Sequence, residues 1–371
     1  MGIDFAASAT GTLGIEWELA LVERDTLELS NRAPELRRTL PEPRRGSIEG
    51  EYLASMVELV SDVHTSVEVA VDELRELLAA VVEAAEPLGL EVLAAGTHPF
   101  TRGEDVDTIH APRYDAVRER NGWWGRRLTI CGTHVHLGLG GAEAAMPLVR
   151  SLADAAPLLI ALSASSPFYE GEDTGFDSQR TMLFQQLGTN GLPPELEDWP
   201  AFERHAEQLR AAGMAQSAQE IRWDVRPAPA LGTIEVRAAD ASPTLRELGC
   251  LAAWTRCLGA ELAFRLEDGT RPQPLEPWQQ AENKWRAARY GLEAELISAD
   301  GIVPLREELE RGLERLAPFA ARLGCEAELE GTRRILEEGA SAARQRRAAA
   351  AAGGDLRAVV ESLIAETKES L

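Results

Sequence analysis

The sequence predicts an α+β fold, with one face of a β-sheet packed on helices and the other lined by metal ligands. Three stretches predict it. Residues 12–22 (TLGIEWELALV), 128–140 (LTICGTHVHLGLG) and 232–240 (GTIEVRAAD) alternate apolar and polar residues, as half-buried strands do. Each places a polar pair at i, i+2 on one side: Glu16 with Glu18, His134 with His136, Glu235 with Arg237. One such pair is commonplace. Three of them, in a chain with six histidines, suggest a shared face.

The elements follow in order. After the first strand, 23–26 reads as a turn, 27–29 as a short returning strand and 31–50 as a Pro- and Arg-rich loop. In SMVELV (55–60) Glu58 interrupts an apolar run, where burying an unpaired polar group costs about 2–7 kcal/mol. Either Glu58 sits on the exposed side of an edge strand or it joins Glu16 and Glu18. Thr65-Ser66-Val67-Glu68 reads as a capping box opening a helix that ends near Gly89, followed by a strand over 90–95. A short helix is expected over 114–120 and a long one, containing Pro157, over 142–164. Residues 165–194 are largely irregular, and irregular stretches of that length are more often functional than idle. Arg180 is the single basic residue there: a contact for a carboxylate-bearing substrate, or the partner of Asp173 or Asp177.

Further on, 199–212 is helical and EIRWDVRP (220–227) is a strand carrying Arg222 and Arg226. Ser242-Pro243 has the form of a helix start, with serine as cap. Residues 279–291 (QQAENKWRAARYG) read as a helix on which Asn283, Lys284, Arg286 and Arg289 crowd together. Such a cluster suits a polyphosphate, or forms a solvated face answered by Glu282 and Glu293. From 303 the chain is helical and rich in Ala, Glu and Arg.

Composition narrows the function classes. A net charge of −23 disfavours nucleic acid and anionic membrane surfaces. No apolar run suggests a membrane span, and the first residues lack the form of a secretory signal, so a soluble, cytoplasmic protein is expected. The four cysteines form no CxxC pair, which disfavours a zinc knuckle or disulfide framework. The length of 371 residues is read as one domain, with 301–371 its helical C-terminal part. An oxygen-rich ligand set favours Mg²⁺ or Mn²⁺ over zinc. Such ions beside clustered Arg and Lys suit nucleotide phosphoryl transfer, although neither GxxxxGK[ST] nor GxGxxG occurs. The competing reading is a metal-dependent amidohydrolase using the His-x-His strand; only His205 remains downstream for it.

GIEWE (14–18), SMVELV (55–60), GTHVHLGL (132–139), RWDVRP (222–227), GTIEVRAAD (232–240) and ENKWRAARYG (282–291) together resemble the glutamate–cysteine ligase type 2 family, bacterial carboxylate–amine ligase branch. The resemblance spans about residues 10–300. It implies a glutamine-synthetase-like curved antiparallel sheet with helices on its convex face and Mg²⁺ and ATP on its concave face. It implies ATP-dependent joining of the γ-carboxylate of glutamate, or a similar acid, to the amine of cysteine or another acceptor. A homodimer is an assembly compatible with it. By the same resemblance Glu16, Glu18, Glu58, His134 or His136, and Glu235 fall on metal-binding motifs. Arg222, Arg226, Arg237, Asn283, Lys284 and Arg286 fall on blocks expected to contact the nucleotide or acyl phosphate, Arg237 and Arg286 as catalytic groups.

Overall fold

The sheet is built outward from Leu13–Glu23 (β1), the longest strand. A computed structural model describes residues 2–109, 111–270, 274–299, 301–369 and 371. On one edge of β1, Met56–Val60 (β3) pairs with residues 16–20. On the other edge, Gly132–Gly138 (β5) covers 13–17 and Leu90–Leu93 (β4) covers 20–23, end to end. Ser47–Gly50 (β2) adds outside β3, while Thr233–Asp240 (β7) and Val225–Ala228 (β6) extend the sheet beyond β5. All these pairings are antiparallel.

Period-two patterning sorts the faces. Leu13, Ile15, Trp17, Leu19 and Leu21 are buried against helices, and full burial of such side chains contributes about 1.5–3 kcal/mol each. The Trp17 indole N–H donates to the Ser242 carbonyl at 3.0 Å, so the largest residue on this face leaves no polar group unpaired. Helices Val67–Ala85 (α1), Ala145–Ser163 (α2), Leu245–Glu267 (α3) and Leu356–Glu369 (α4) pack on this side. The segment 142–163 is apolar and long enough to span a bilayer, but most of it is buried in this core. The core continues into the last helices through Leu305, Leu316, Val359 and Leu363. There the Thr367 hydroxyl accepts from the Ala94 amide at 3.0 Å and ties α4 to the end of β4.

Several local expectations need correction. Residues 31–50 contain the helix Ala33–Thr39 and edge strand β2, and 27–29 contributes only an isolated bridge, Val22 to Leu29. Ser66, not Thr65, caps α1, accepting from the Val69 amide. Ser242 is not a helix cap: its amide donates to the Thr133 hydroxyl, and Thr244 caps α3 by accepting from the Glu247 amide at 3.1 Å. The short helix expected over 114–120 runs over Pro112–Arg126 and breaks at Gly122, whose φ of 52° suits a residue without Cβ. Residues 295–304 form a hairpin before the C-terminal helices.

Candidate active site

Register concentrates the charge on the other face. Glu18 stands opposite Glu58, Glu16 opposite His134, and His136 opposite Glu235. All six predicted ligands therefore share one surface. Two triads emerge whose ligand atoms lie within 4.8 Å of one another: Glu16, Glu58 and His134, and Glu16, His136 and Glu235. Glu16 belongs to both. One of its oxygens is 2.8 Å from His134 Nδ1 and the other 2.9 Å from His136 Nε2.

The groups differ in charge according to what surrounds them. Burial opposes ionisation of Glu16, but the hydrogen bonds from His134 and His136 outweigh it and hold its pKa well below the usual carboxylate value. Burial likewise opposes ionisation of Glu235, yet Arg237 and Arg226 pull its pKa down. Glu235 is held by the Arg226 Nε at 2.7 Å and by the Arg237 guanidinium. Those carboxylates in turn keep Arg237 above its ordinary value despite burial. Glu18 behaves in the opposite way. Burial pushes it to about 7, although Arg180 and the Gly132 amide favour the charged form. Burial and repulsion from Glu16 and Glu18 drive Glu58 well above the usual range.

The histidines divide too. Burial, with Arg237 nearby, lowers His134 to about 4, so it is neutral at pH 7. Its Nδ1 faces the ionised Glu16, an acceptor only, and must carry the proton. Nε2 then presents a lone pair, buried and without a partner among the described residues, 3.9 Å from Glu18. Burial also works against charge on His136, but Glu235 and Glu16 outweigh it and raise its pKa. A buried nitrogen lone pair amid carboxylates fits a divalent cation, as do the two oxygen-rich triads.

Beside this face lies a cavity of about 80 Å³ lined by Glu18, Glu51, Tyr52, Arg180, Asn190, Arg222 and Arg237, among others. Arg180 is not the partner of Asp173 or Asp177, since Arg346 takes both. Its two terminal nitrogens donate to the Arg237 carbonyl at 3.2 Å each, and its Nε is buried and unpaired. Gly132 makes room for it: an added Cβ would stand 2.8 Å from the guanidinium carbon. Asp240 fixes the approach from below. It accepts from Ser166 at 2.6 Å and Ser178 at 2.7 Å, and Ser166 Oγ accepts from the Arg180 amide at 3.0 Å. Among the described residues, no carboxylate forms an ion pair with Arg222.

Sequence reasoning missed Glu51 and Asn190. Glu51 follows a glycine in an unpatterned loop; in the fold its charge raises Glu18 and Glu58. Both amide atoms of Asn190 are buried without a partner among the described residues, beside the unpaired Nε atoms of Arg180 and Arg237. The only sequence signal was an Asn-Gly turn inside the long irregular stretch. His205 stacks on Trp223 at 5.6 Å and does not join the ligand face, which removes the support for the amidohydrolase reading.

The basic cluster expected at the phosphates is engaged elsewhere. In the helix Pro277–Tyr290, the Asn283 amide exchanges two hydrogen bonds with Ile297, pinning the hairpin. Arg286 bonds Glu282 at 2.7 Å and the Glu295 carbonyl at 3.1 Å. Lys284 is buried, 2.6 Å from Asp224. The Asp224 carbonyl accepts from the Arg237 amide at 2.7 Å, so Lys284 supports the strand carrying Arg237 without lining the cavity. Arg226 is similarly committed, to Glu235 and to the Gln219 and Ile221 carbonyls.

Three substitutions test this arrangement. Lys284→Met leaves a buried carboxylate unpaired and should cost roughly 3–5 kcal/mol in denaturant unfolding, whereas Arg286→Gln should cost under about 1. Gly132→Ala should displace Arg180, cost about 1–3 kcal/mol of stability by overpacking and lower kcat/KM by about tenfold or more at temperatures where the variant is fully folded. Normal turnover in that variant would show that the guanidinium position is not used.

Comparison with known proteins follows the same pattern. Residues 12–362 match the glutamate-cysteine ligase family 2. The protein named "Putative glutamate--cysteine ligase 2" of Micrococcus luteus is 45% identical over 393 residues, covering 100% of this chain and 99% of its own. That of Clavibacter michiganensis is 44% identical over 375 residues, covering 100% and 98%. Among solved structures, the Francisella tularensis glutamate–cysteine ligase in complex with AMP superposes with a TM-score of 0.70 at 15% identity, over 99% of this chain and 94% of that one. A bifunctional glutathione synthetase from Pasteurella multocida gives 0.64 at 18% identity, over 97% and 52%. The fold is thus glutamine-synthetase-like. With the family match over nearly its whole length, the chain belongs to glutamate–cysteine ligase family 2, and with it to the carboxylate–amine ligases.

Proposed function

We propose that this chain, acting as one cytoplasmic catalytic unit, is a glutamate–cysteine ligase. It uses ATP to convert the γ-carboxylate of glutamate to an acyl phosphate, releasing ADP; the amine of cysteine then attacks the acyl carbon and displaces inorganic phosphate to give γ-glutamylcysteine. The observation that carries this reading is the junction of two cation triads sharing Glu16 with an arginine-lined cavity. A carboxylate is a poor electrophile, and two anions must meet for it to be phosphorylated. When bound, Mg²⁺ or Mn²⁺ would screen that encounter and polarise phosphate oxygens. Glu16, Glu18, Glu58, His134, His136 and Glu235 are the residues that would hold it.

The chain's own groups supply the rest. Arg180 and Arg222 offer positive charge to the carboxylates of the acid substrate, and Asn190 offers one donor and one acceptor to its polar atoms. Arg237, kept charged by Glu235, faces the cavity and stabilises negative charge that grows on the transferring group. No side chain forms a covalent bond with substrate. All four cysteines are buried, and none lines the cavity.

The decisive measurement is release of ADP that depends on both glutamate and cysteine, with γ-glutamylcysteine as co-product. Release of AMP and pyrophosphate would signal an adenylate and overturn the mechanism; turnover with another amine alone would keep the mechanism and change the acceptor.

A pH dependence follows as well. Glu18 titrates near 7 in the folded protein against about 4.5 unfolded, so the metal-free protein loses stability as pH rises between those values. Cation binding requires the ionised form, so Mg²⁺ affinity should rise from pH 6 to 8 with proton release. Glu18→Gln should flatten both trends and reduce turnover by roughly tenfold or more. A pH-independent Mg²⁺ affinity in the wild type would remove Glu18 from the ligand set.

A further inference from the structure

A second cavity lies on the apolar side of the sheet. It measures about 280 Å³ and opens between α3 and the helix Leu305–Leu323. Its floor is Leu137 from β5 and Ile234 from β7, and its walls include Leu148, Leu152 and Ala263. Phe264 and Phe319 meet edge to face at 6.2 Å on its rim, with Phe264 52% exposed. A large exposed aromatic over an apolar recess is costly in a folded protein unless something covers it.

Three charged side chains line it: Arg322 and Glu267 are exposed at its rim, and Arg256 alone is buried. Arg256 is 5% exposed and lines the cavity. Its terminal nitrogens donate only to neutral backbone carbonyls: Leu323 at 3.2 Å, Gly11 at 2.9 Å and Thr65 at 2.7 Å. Its Nε is buried without a partner, and among the described residues no carboxylate forms an ion pair with it. Burial accordingly lowers its pKa. A desolvated guanidinium without a counter-charge is expensive, and an anion placed beside it recovers a strong charge-assisted hydrogen bond. Arg322, exposed at the mouth of the same cavity, adds a second positive charge along the way in.

We infer that this cavity binds a small apolar monocarboxylate, an aliphatic or aromatic acid whose carboxylate meets Arg256 while its hydrocarbon covers Leu137, Ile234 and the two phenylalanines. Its apolar walls with one buried guanidinium among them have the make-up of a small-molecule site, and the exposed Glu267 at the rim is outnumbered by Arg256 and Arg322. The site is separate from the arginine-lined cavity: the two share no lining residue and lie on opposite faces of the sheet.

Octanoate is the probe, titrated calorimetrically into the full chain with octanamide as its neutral counterpart. Octanoate should bind saturably at one site, with octanamide weaker by about tenfold or more, as expected for loss of a charge-assisted contact. Ala263→Trp should fill the cavity and abolish octanoate binding while the melting temperature and Mg²⁺ binding stay at wild-type values. Arg256→Lys should weaken octanoate and leave octanamide unchanged. Absence of saturable binding, or equal affinity for the acid and the amide, would reduce Arg256 to a clamp on three backbone carbonyls. Octanoate binding that survives Ala263→Trp would belong to the arginine-lined cavity and would equally overturn the proposal.

Discussion

Carboxylate stands opposite carboxylate where β1 meets β3, and the rest of the polar face is arranged around that repulsion. Glu58 has Glu18 on one side and Glu49 on the other. Like charges directly opposite in an antiparallel pair destabilise it. A fold tolerates this only where the register is imposed from elsewhere. Here the imposing force is the opposite face, where Ile15, Trp17 and Leu19 are buried. A one-residue slip would carry all of them into water and the glutamates into the core. Hydrophobic burial on one side of β1 therefore holds together, on the other, carboxyl groups that cannot all ionise at once.

That coupling explains what could be read from the sequence. Alternation reports which side chains share a face, so Glu16, Glu18, His134, His136 and Glu235 could be grouped before any pairing was known. Glu58 was ambiguous because a lone polar residue in an apolar run has no partner in sequence; only pairing with Glu18 resolves it. The cluster over 282–291 was misleading for a related reason. Charge density along a helix does not reveal what the helix packs against, and Asp224, the partner of Lys284, lies 60 positions away. Asn190 and Glu51 carry no periodic signal at all, because loops place side chains by tertiary contact.

Arginine has two distinct uses in this site. Arg226 and Arg237 neutralise Glu235; Arg226 is largely consumed by it, whereas Arg237 also lines the cavity. Arg180 and Arg222 have no carboxylate at ion-pair distance among the described residues, and their charge is directed to the cavity. The first pair keeps Glu235 ionised; the second makes the neighbouring space receptive to anions. Lysine could do neither as well, since a point charge lacks the planar fork that lets Arg180 grip the Arg237 carbonyl with two nitrogens.

The walls of the active-site cavity come from two kinds of element. Glu18, His134 and Arg237 project from the central strands, whereas Val117 belongs to the kinked helix Pro112–Arg126 and Leu187 and Asn190 to the irregular stretch after Phe184. The proposed reactive groups thus sit on the hydrogen-bonded sheet, and much of the remaining wall comes from the elements around it. A lineage, or a designer, can retune which acceptor fits by exchanging residues at the periphery. The apparatus for activating the acid survives such changes, because no strand need move.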